Sequence, residues 1–314
     1  MRIFSPETAH QISLSGLKVV SYFSKPKPII TKDIEMFGLV FSNRLGLASG
    51  MDKNADYLDP LSCLGFAFLE LGTLTPRPQD GNPKPRLFRL TNKMSLINSM
   101  GFNNKGIKHA ISKIKESKSE AIIGISIGKN FDTPIEKAFE DYLYCYDKAY
   151  EVCDYIAVNI SSPNTKELRQ LESKKYFSNL ITSLKRKQEG YSKAFGYKPI
   201  ILKLSPDLQS VDLENICKEI LDKDIDAIIC SNTTVSHEYP LNGGLSGEEL
   251  FEISNKSLVC FRKFLGSSFP IIASGGVMSH HHFEKKLELG ADLVQVYTGM
   301  IYRGPQLVKE ILNP

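Results

Sequence analysis

The chain has 314 residues, of which 42% are hydrophobic and 24% charged, a globular balance that excludes disorder and low complexity and suits one large α/β domain or two ordinary ones. Its 39 Lys+Arg and 35 Asp+Glu leave a dispersed net charge of +4, too slight to imply a nucleic-acid partner. The 6 cysteines show no C-x-x-C pairing and read as reduced buried thiols, so neither a disulfide framework nor a zinc site is indicated. The longest apolar runs are strand-sized, short of the ~20 residues that span a bilayer.

Residues 5 to 23 read as an amphipathic helix: Ser5 can cap it, Pro6 suits its first turn, and Ala9, Ile12, Leu17, Val20 and Phe23 recur at near-helical spacing. Such a helix either packs on its own domain or meets lipid or a lipophilic ligand. Lys25-Pro26-Lys27-Pro28 breaks it, so an N-terminal extension over 1–30 is expected ahead of a main domain over 31–314. Gly38-Leu39-Val40-Phe41 with Ser42-Asn43 suggests a short hairpin.

From residue 44, strand-like segments alternate with helical ones: 45–49, 66–72, 121–128, 155–160, 199–204, 227–231, 270–274 and 293–298. Several are continuously apolar, as strands buried on both faces are. Between them, Thr133-Pro134-Ile135-Glu136 reads as a capping box opening a helix. Eight such units predict an α/β fold, a (β/α)₈ TIM barrel with a short N-terminal amphipathic helical extension. Barrels of this kind place their sites on the loops after the strands, which gives polar strand-end residues a functional reading.

The fourth strand runs into Asn159-Ile160-Ser161-Ser162-Pro163-Asn164-Thr165, whose carboxamides and hydroxyls suit a flat, polar, amide-rich ligand. An Asx/Ser-Pro turn that merely caps the strand is the plainer alternative. Ser49-Gly50-Met51-Asp52-Lys53-Asn54 follows the first strand, where glycine lets a ligand approach the backbone beside the Lys53 cation. The long segment opening at Gly72-Thr73-Leu74-Thr75-Pro76-Arg77-Pro78-Gln79 carries Arg86, Phe88 and Arg89 and is too apolar for a tether, so it is expected to be a structured excursion over the site.

Lys203 sits in the otherwise apolar Ile200-Ile201-Leu202-Lys203-Leu204. Burying an unpaired ammonium costs several kcal/mol, roughly, so it should face an anion or an electron-rich ring unless it snorkels to solvent. Asn232-Thr233-Thr234 adds neutral hydrogen-bonding groups. Glycines and hydroxyls at 243–247, 274–277 and 297–299 stand where barrels cradle phosphate, so a phosphorylated cofactor is expected. His280-His281-His282 cannot all point one way on a helix and reads as a solvated helix start, with no metal expected.

With these residues assembled, the chain resembles the dihydroorotate dehydrogenase family, and within it the class 2, quinone-dependent form. The resemblance covers residue 5 to the C-terminus and rests on Ser5-Pro6-Glu7-Thr8-Ala9-His10, Gly50-Met51-Asp52-Lys53, Gly72 to Gln79, Pro85-Arg86-Leu87-Phe88-Arg89-Leu90, Met100-Gly101-Phe102-Asn103, Asn159 to Thr165, Ser231-Asn232-Thr233-Thr234 and Gly243 to Gly247. It implies an FMN-binding barrel that oxidises (S)-dihydroorotate to orotate in pyrimidine biosynthesis, with a C5 proton taken by a base and a hydride passed from C6 to flavin N5. Ser162 stands where class 2 members keep a serine base and class 1 members a cysteine.

By the same resemblance, Lys53, Asn98, Ser99, Met100, Gly101, Phe102, Asn159, Asn164, Asn232 and Thr233 would hold the substrate. FMN would lie among Ser49, Gly50, Met51, Asp52, Lys53, Thr73, Ser126, Asn159, Lys203 and Ser231, with its phosphate at Gly247, Gly276, Tyr297 and Thr298. His10, Arg89 and Tyr297 match a pocket for ubiquinone or menaquinone beneath the N-terminal helix. The implied setting is a peripheral membrane surface, on the cytoplasmic face of a bacterial inner membrane, with the mitochondrial inner membrane also compatible.

Three departures stand out. Ser126 occupies the place of a flavin-contacting asparagine, Ser99 that of an arginine, and the N-terminus starts late, which leaves a short membrane-facing portion. The competing readings are a class 1 enzyme using fumarate or NAD, another FMN or phosphosugar barrel, and a non-catalytic flavin-binding barrel. Ser162 and the helix speak against the first, the Asn159–Thr165 and Asn232–Thr234 pair against the second, and a buried lysine with a base against the third.

Overall fold

The computed structural model describes residues 4–23, 27–165 and 167–313, so Lys25 and Pro26 of the predicted helix-breaking run lie outside the described residues, as does the side chain of Val20. Eight parallel strands close a barrel: β1 (Leu45–Leu47), β2 (Phe68–Leu74), β3 (Ile122–Ile127), β4 (Tyr155–Asn159), β5 (Ile200–Leu204), β6 (Ala227–Cys230), β7 (Ile271–Ser274) and β8 (Leu293–Val296). Each pairs with the next, and β8 returns to β1. All eight predicted units are present. The second is displaced from 66–72 to 68–74, because the β2–β3 register shifts between Leu71 and Leu74 and pairing resumes at Leu74↔Ile127 beyond Gly72.

Side chains alternate across a strand, so every second residue enters the barrel. The lowest layer is apolar, with Phe68, Tyr155, Ile201 and Leu293 in one cluster with Phe41. Phe41 comes from a hairpin, Ile34–Met36 with Leu39–Phe41, that closes this end and turns at Phe37-Gly38, earlier than the sequence suggested. The Phe41 and Phe68 rings meet edge-on at 5.5 Å and those of Phe68 and Tyr155 at 6.5 Å. Room for them comes from glycine: a Cβ on Gly46 would lie 2.2 Å from Phe68 Cζ, and one on Gly124 2.0 Å from Tyr155 Cζ. Gly124→Ala is therefore expected to destabilise the fold by about 1–3 kcal/mol through overpacking. Thermal unfolding would register this, and an unchanged Tm would contradict it.

Two residues further along the same strands, Phe68 gives way to Glu70, Ile201 to Lys203 and Leu293 to Gln295, and the interior turns polar. The predicted capping box does not form. Thr133 Oγ1 donates to Asp141 Oδ2 at 2.6 Å, a 3₁₀ turn occupies Ile135–Lys137, and the helix starts at Ala138.

The excursion after β2 is structured, as expected. Leu87–Leu90 and Ser95–Asn98 form an antiparallel sheet, and Gly244–Gly247, read as loop, joins it by pairing with Ser95–Asn98. Against this sheet lies helix α1 (Pro6–Ser21), with the Ser5 hydroxyl accepting the Thr8 N–H at 3.3 Å. Its Glu7 carboxylate accepts both Nε and Nη2 of Arg86 at 3.0 Å. Ala9 and Leu14 are buried, whereas Ile12 and Phe23 are exposed, so the packing face is rotated from the predicted one.

Candidate active site

A cavity of about 1230 Å³ opens at the carboxyl ends of the strands and runs under α1. Every predicted site residue lines it except Ser99 and Ser126. Ser126 is fully buried, its hydroxyl bonded to Thr73 Oγ1 at 2.9 Å, so Thr73 stands between it and the cavity. Ser99 follows Asn98 at a strand end, where alternation turns its side chain to the other face, and its carbonyl accepts Asn82 Nδ2 at 2.9 Å.

The carboxamides form a linked wall. Asn159 Nδ2 donates to Thr73 Oγ1 at 2.8 Å, and Asn232 Nδ2 to Asn159 Oδ1 at 3.3 Å and Ser161 Oγ at 3.0 Å. Asn164 Nδ2 donates to Asn98 Oδ1 at 3.1 Å, and the Asn164 N–H to Ser162 Oγ at 3.3 Å. Ser162 is buried at the rim of this wall. The Thr233 Oγ1 is enclosed against Gly244 and has no hydrogen-bond partner among the described residues.

Lys53 and Lys203 are among the cations that line the cavity. Lys53 Nζ donates to the Gly50 carbonyl at 2.9 Å, and burial depresses its pKa to about 8. Lys203 Nζ donates to Ser49 Oγ at 3.0 Å and to Glu70 Oε1 at 3.4 Å, so the anion expected opposite it is Glu70, which does not line the cavity. Asp52 plays a different part: its carboxylate accepts the N–H groups of Asn54, Asp56 and Tyr57 at 3.2, 3.1 and 2.7 Å and shapes the loop that carries Lys53.

At the ends of β7 and β8, Gly276 has φ +77° and would set a Cβ 2.4 Å from Phe251 Cα. Thr298 Oγ1 donates to Ser246 Oγ at 2.9 Å beside Gly247, and burial pushes the Tyr297 phenol up to about 12. His282, expected in solvent, stacks on Phe251 at 4.1 Å, with its Nδ1 3.2 Å from the Gly276 carbonyl, so it braces this loop. No group of three His, Cys, Asp or Glu that would hold a metal is brought together among the described residues. Under α1, His10 Nε2 lies 2.9 Å from the Met51 carbonyl, and burial lowers its pKa to about 4. A carbonyl only accepts, so the neutral ring carries its proton on Nε2. Arg89 Nη1 donates to the Phe4 carbonyl at 2.9 Å and fastens the start of the helix.

Sequence reasoning missed three groups. Glu70 announced itself only as a carboxylate in an apolar strand. Arg169 gave no signal, yet it donates to the Ser161 and Thr233 carbonyls, both at 3.1 Å, and to Asp207 at 2.9 Å, tying the Ser162 loop to the ends of β5 and β6. Thr165, in the same loop, is buried with a hydroxyl that lacks a partner among the described residues.

The donor set fits a phosphorylated, planar cofactor: small residues and hydroxyls at the ends of β7 and β8, a fixed ammonium at the barrel centre, and carboxamides opposite. Fold and site together define a (β/α)₈-barrel enzyme working at the carboxyl ends of its strands. The family model described as dihydroorotate dehydrogenase matches residues 32–314. A dihydroorotate dehydrogenase (quinone) of Azoarcus sp. (strain BH72) is 46% identical over 316 residues, covering 98% of this chain and 94% of the relative. One of Buchnera aphidicola subsp. Schizaphis graminum is 46% identical over 323 residues, covering 99% and 96%. A crystal structure described as DHODH from Eimeria tenella in complex with ferulenol superimposes with a TM-score of 0.89 at 30% identity, covering 98% of this chain and 89% of that one. The chain belongs to the dihydroorotate dehydrogenase family and is an oxidoreductase. The family is generally flavin-dependent.

Proposed function

We propose that the cavity holds FMN and dihydroorotate together, with Ser162 as the base and the space under α1 as the quinone's route. The reaction is the oxidation of dihydroorotate to orotate in pyrimidine biosynthesis, with a quinone as electron acceptor. The observation that carries the reading is that Ser162, the Asn98/Asn159/Asn164/Asn232 carboxamides, Lys203 and the Gly276 loop all open on one cavity whose far wall is α1.

FMN, when bound, supplies a hydride acceptor. Gly247, Gly276, Tyr297 and Thr298 would hold its phosphate, and Ser49, Gly50, Thr73, Lys203 and Ser231 the remainder. Ser126 would act through Thr73, whose hydroxyl it orients. Lys53 binds the substrate carboxylate, and the carboxamides meet the ring amides with neutral donors and acceptors. Asn232 and Asn164 are each held by a second carboxamide, which sets which end of each group faces the ring. Ser162 takes the C5 proton. Because a hydroxyl is a weak base, it must release its own proton as it takes the C5 proton, and the Thr165 hydroxyl in the same loop would relay that proton onward to solvent by releasing its own.

Residues 1–30 form a functional unit distinct from the barrel, closing the lipophilic end of the cavity through Ala9, Leu14 and Leu17 and meeting a membrane surface on its outer side. No helix among the described residues is long and apolar enough to cross a membrane, which suits attachment from one side. The cytoplasmic face of a bacterial inner membrane is the proposed location. Deleting residues 1–24 is expected to impair turnover with quinone more than flavin reduction by dihydroorotate, and equal loss in both half-reactions would speak against the assignment. The visible spectrum of the purified protein with and without dihydroorotate tests the whole reading, followed by quinones set against fumarate and NAD as oxidants. A colourless protein that takes up no FMN would end it.

A further inference from the structure

We propose that Glu70 is a positioning residue that fixes Lys203 and offsets its charge, and so sets how strongly the site favours reduced over oxidised cofactor; this rests on the reading that FMN lies against Lys203. Glu70 is 1% exposed in the middle of β2, where the strand's other residues are apolar or small. Its two oxygens gather donors from three other strands: Lys203 Nζ from β5 at 3.4 Å on Oε1, and Gln295 Nε2 from β8 at 2.9 Å with the Tyr155 hydroxyl from β4 at 3.3 Å on Oε2. All three contacts come from donors, as a carboxylate without its proton requires. A polar link serving only to knit strands together would not need a full charge at the barrel centre.

The geometry assigns the charge a direction. Charge-assisted N–H···O contacts run at about 2.7–2.9 Å, so at 3.4 Å the ammonium is oriented from below by Glu70 without closing a tight ion pair. Its closer contact is Ser49 Oγ, on the cavity side, at 3.0 Å. Lys203 thus presents its positive end to the cavity while the compensating negative charge stays out of the cavity lining. One consequence follows. The carboxylate cancels part of the field that would otherwise stabilise electrons delivered into the cavity. A site that must accept electrons from one substrate and release them to another is served by that partial cancellation, since an unopposed ammonium would hold them.

The test is the two-electron equilibrium of bound FMN against a dye of known potential, in purified holoprotein at about pH 6.5, well below the range where lysine ordinarily titrates. Glu70→Gln keeps the shape and removes the charge. It is expected to move the equilibrium towards reduced FMN by about tenfold or more, which for a two-electron couple is about 30 mV. Lys203→Met moves it the other way, and the double variant returns close to wild type. If Glu70→Gln yields no holoprotein, Tyr155→Phe carries the test: it leaves the charge and strips one donor from it, with a smaller shift, about twofold, towards the oxidised form expected. An equilibrium unchanged in Glu70→Gln, or displaced towards oxidised FMN, overturns the proposal while a yellow wild-type protein leaves the proposed function standing. A shift towards reduced FMN in Tyr155→Phe likewise overturns it. A wild-type protein that takes up no FMN overturns both.

Discussion

Ser162→Ala is expected to keep FMN bound while dihydroorotate reduces it about 10²–10⁴-fold more slowly, the range a positioned base contributes. The side chain is nearly enclosed, and its only described partner is the Asn164 N–H, which donates to the oxygen. Nothing in that contact removes the hydroxyl proton, so the base depends on its surroundings for a proton route. Its removal leaves the carboxamide wall intact, because Asn98, Asn159, Asn164 and Asn232 are held by one another and by Thr73 and Ser161. Stopped-flow bleaching of the flavin separates the two outcomes. A wild-type rate would exclude Ser162 as the base, and loss of the flavin itself would show that the residue serves structure instead.

The second large effect is expected at Lys53. Truncating one partner of a buried charge pair costs about 2–5 kcal/mol, so Lys53→Ala should weaken dihydroorotate binding by about 30-fold or more. Its pH dependence has a definite sign. Burial lowers the free lysine to about 8, so the ammonium that receives the carboxylate is present below that pH and is lost as pH rises through it. Because kcat/KM reports the free enzyme, it should fall above about pH 8, whereas kcat, measured with the carboxylate bound and the ammonium stabilised, should not share that limb. Persistence of the limb in Lys53→Ala would move the assignment elsewhere.

The barrel was legible because each strand is a short apolar run ending in a polar or glycine cluster, and that pattern is local. The side sheet was not: Gly244–Gly247 reads as a loop by composition, and only its pairing with Ser95–Asn98, distant in sequence, makes it a strand. The same limit applies to single residues. Lys203 could be read as requiring an anion, but not which one, since Glu70 reaches it across the barrel from another strand. Ser126 stands where the resemblance places a flavin-contacting asparagine, yet Thr73 covers it, a matter of depth that a motif position does not carry. The packed face of α1 was only partly legible: Ala9 and Leu17 of the expected set pack inward, but Leu14, which breaks the assumed spacing, docks with them while Ile12 and Phe23 stay exposed.

At the amino end of the barrel, Phe41, Phe68 and Tyr155 act as an aromatic stopper beneath the polar chamber. Electron donor and acceptor therefore cannot arrive from opposite poles; both must come to the same rim and be told apart sideways, by which wall of the chamber they meet. On the quinone route proposed under α1, an inhibitor shaped to fill the helix-covered side would block reoxidation while leaving the pyrimidine berth vacant, and the two occupants need not compete.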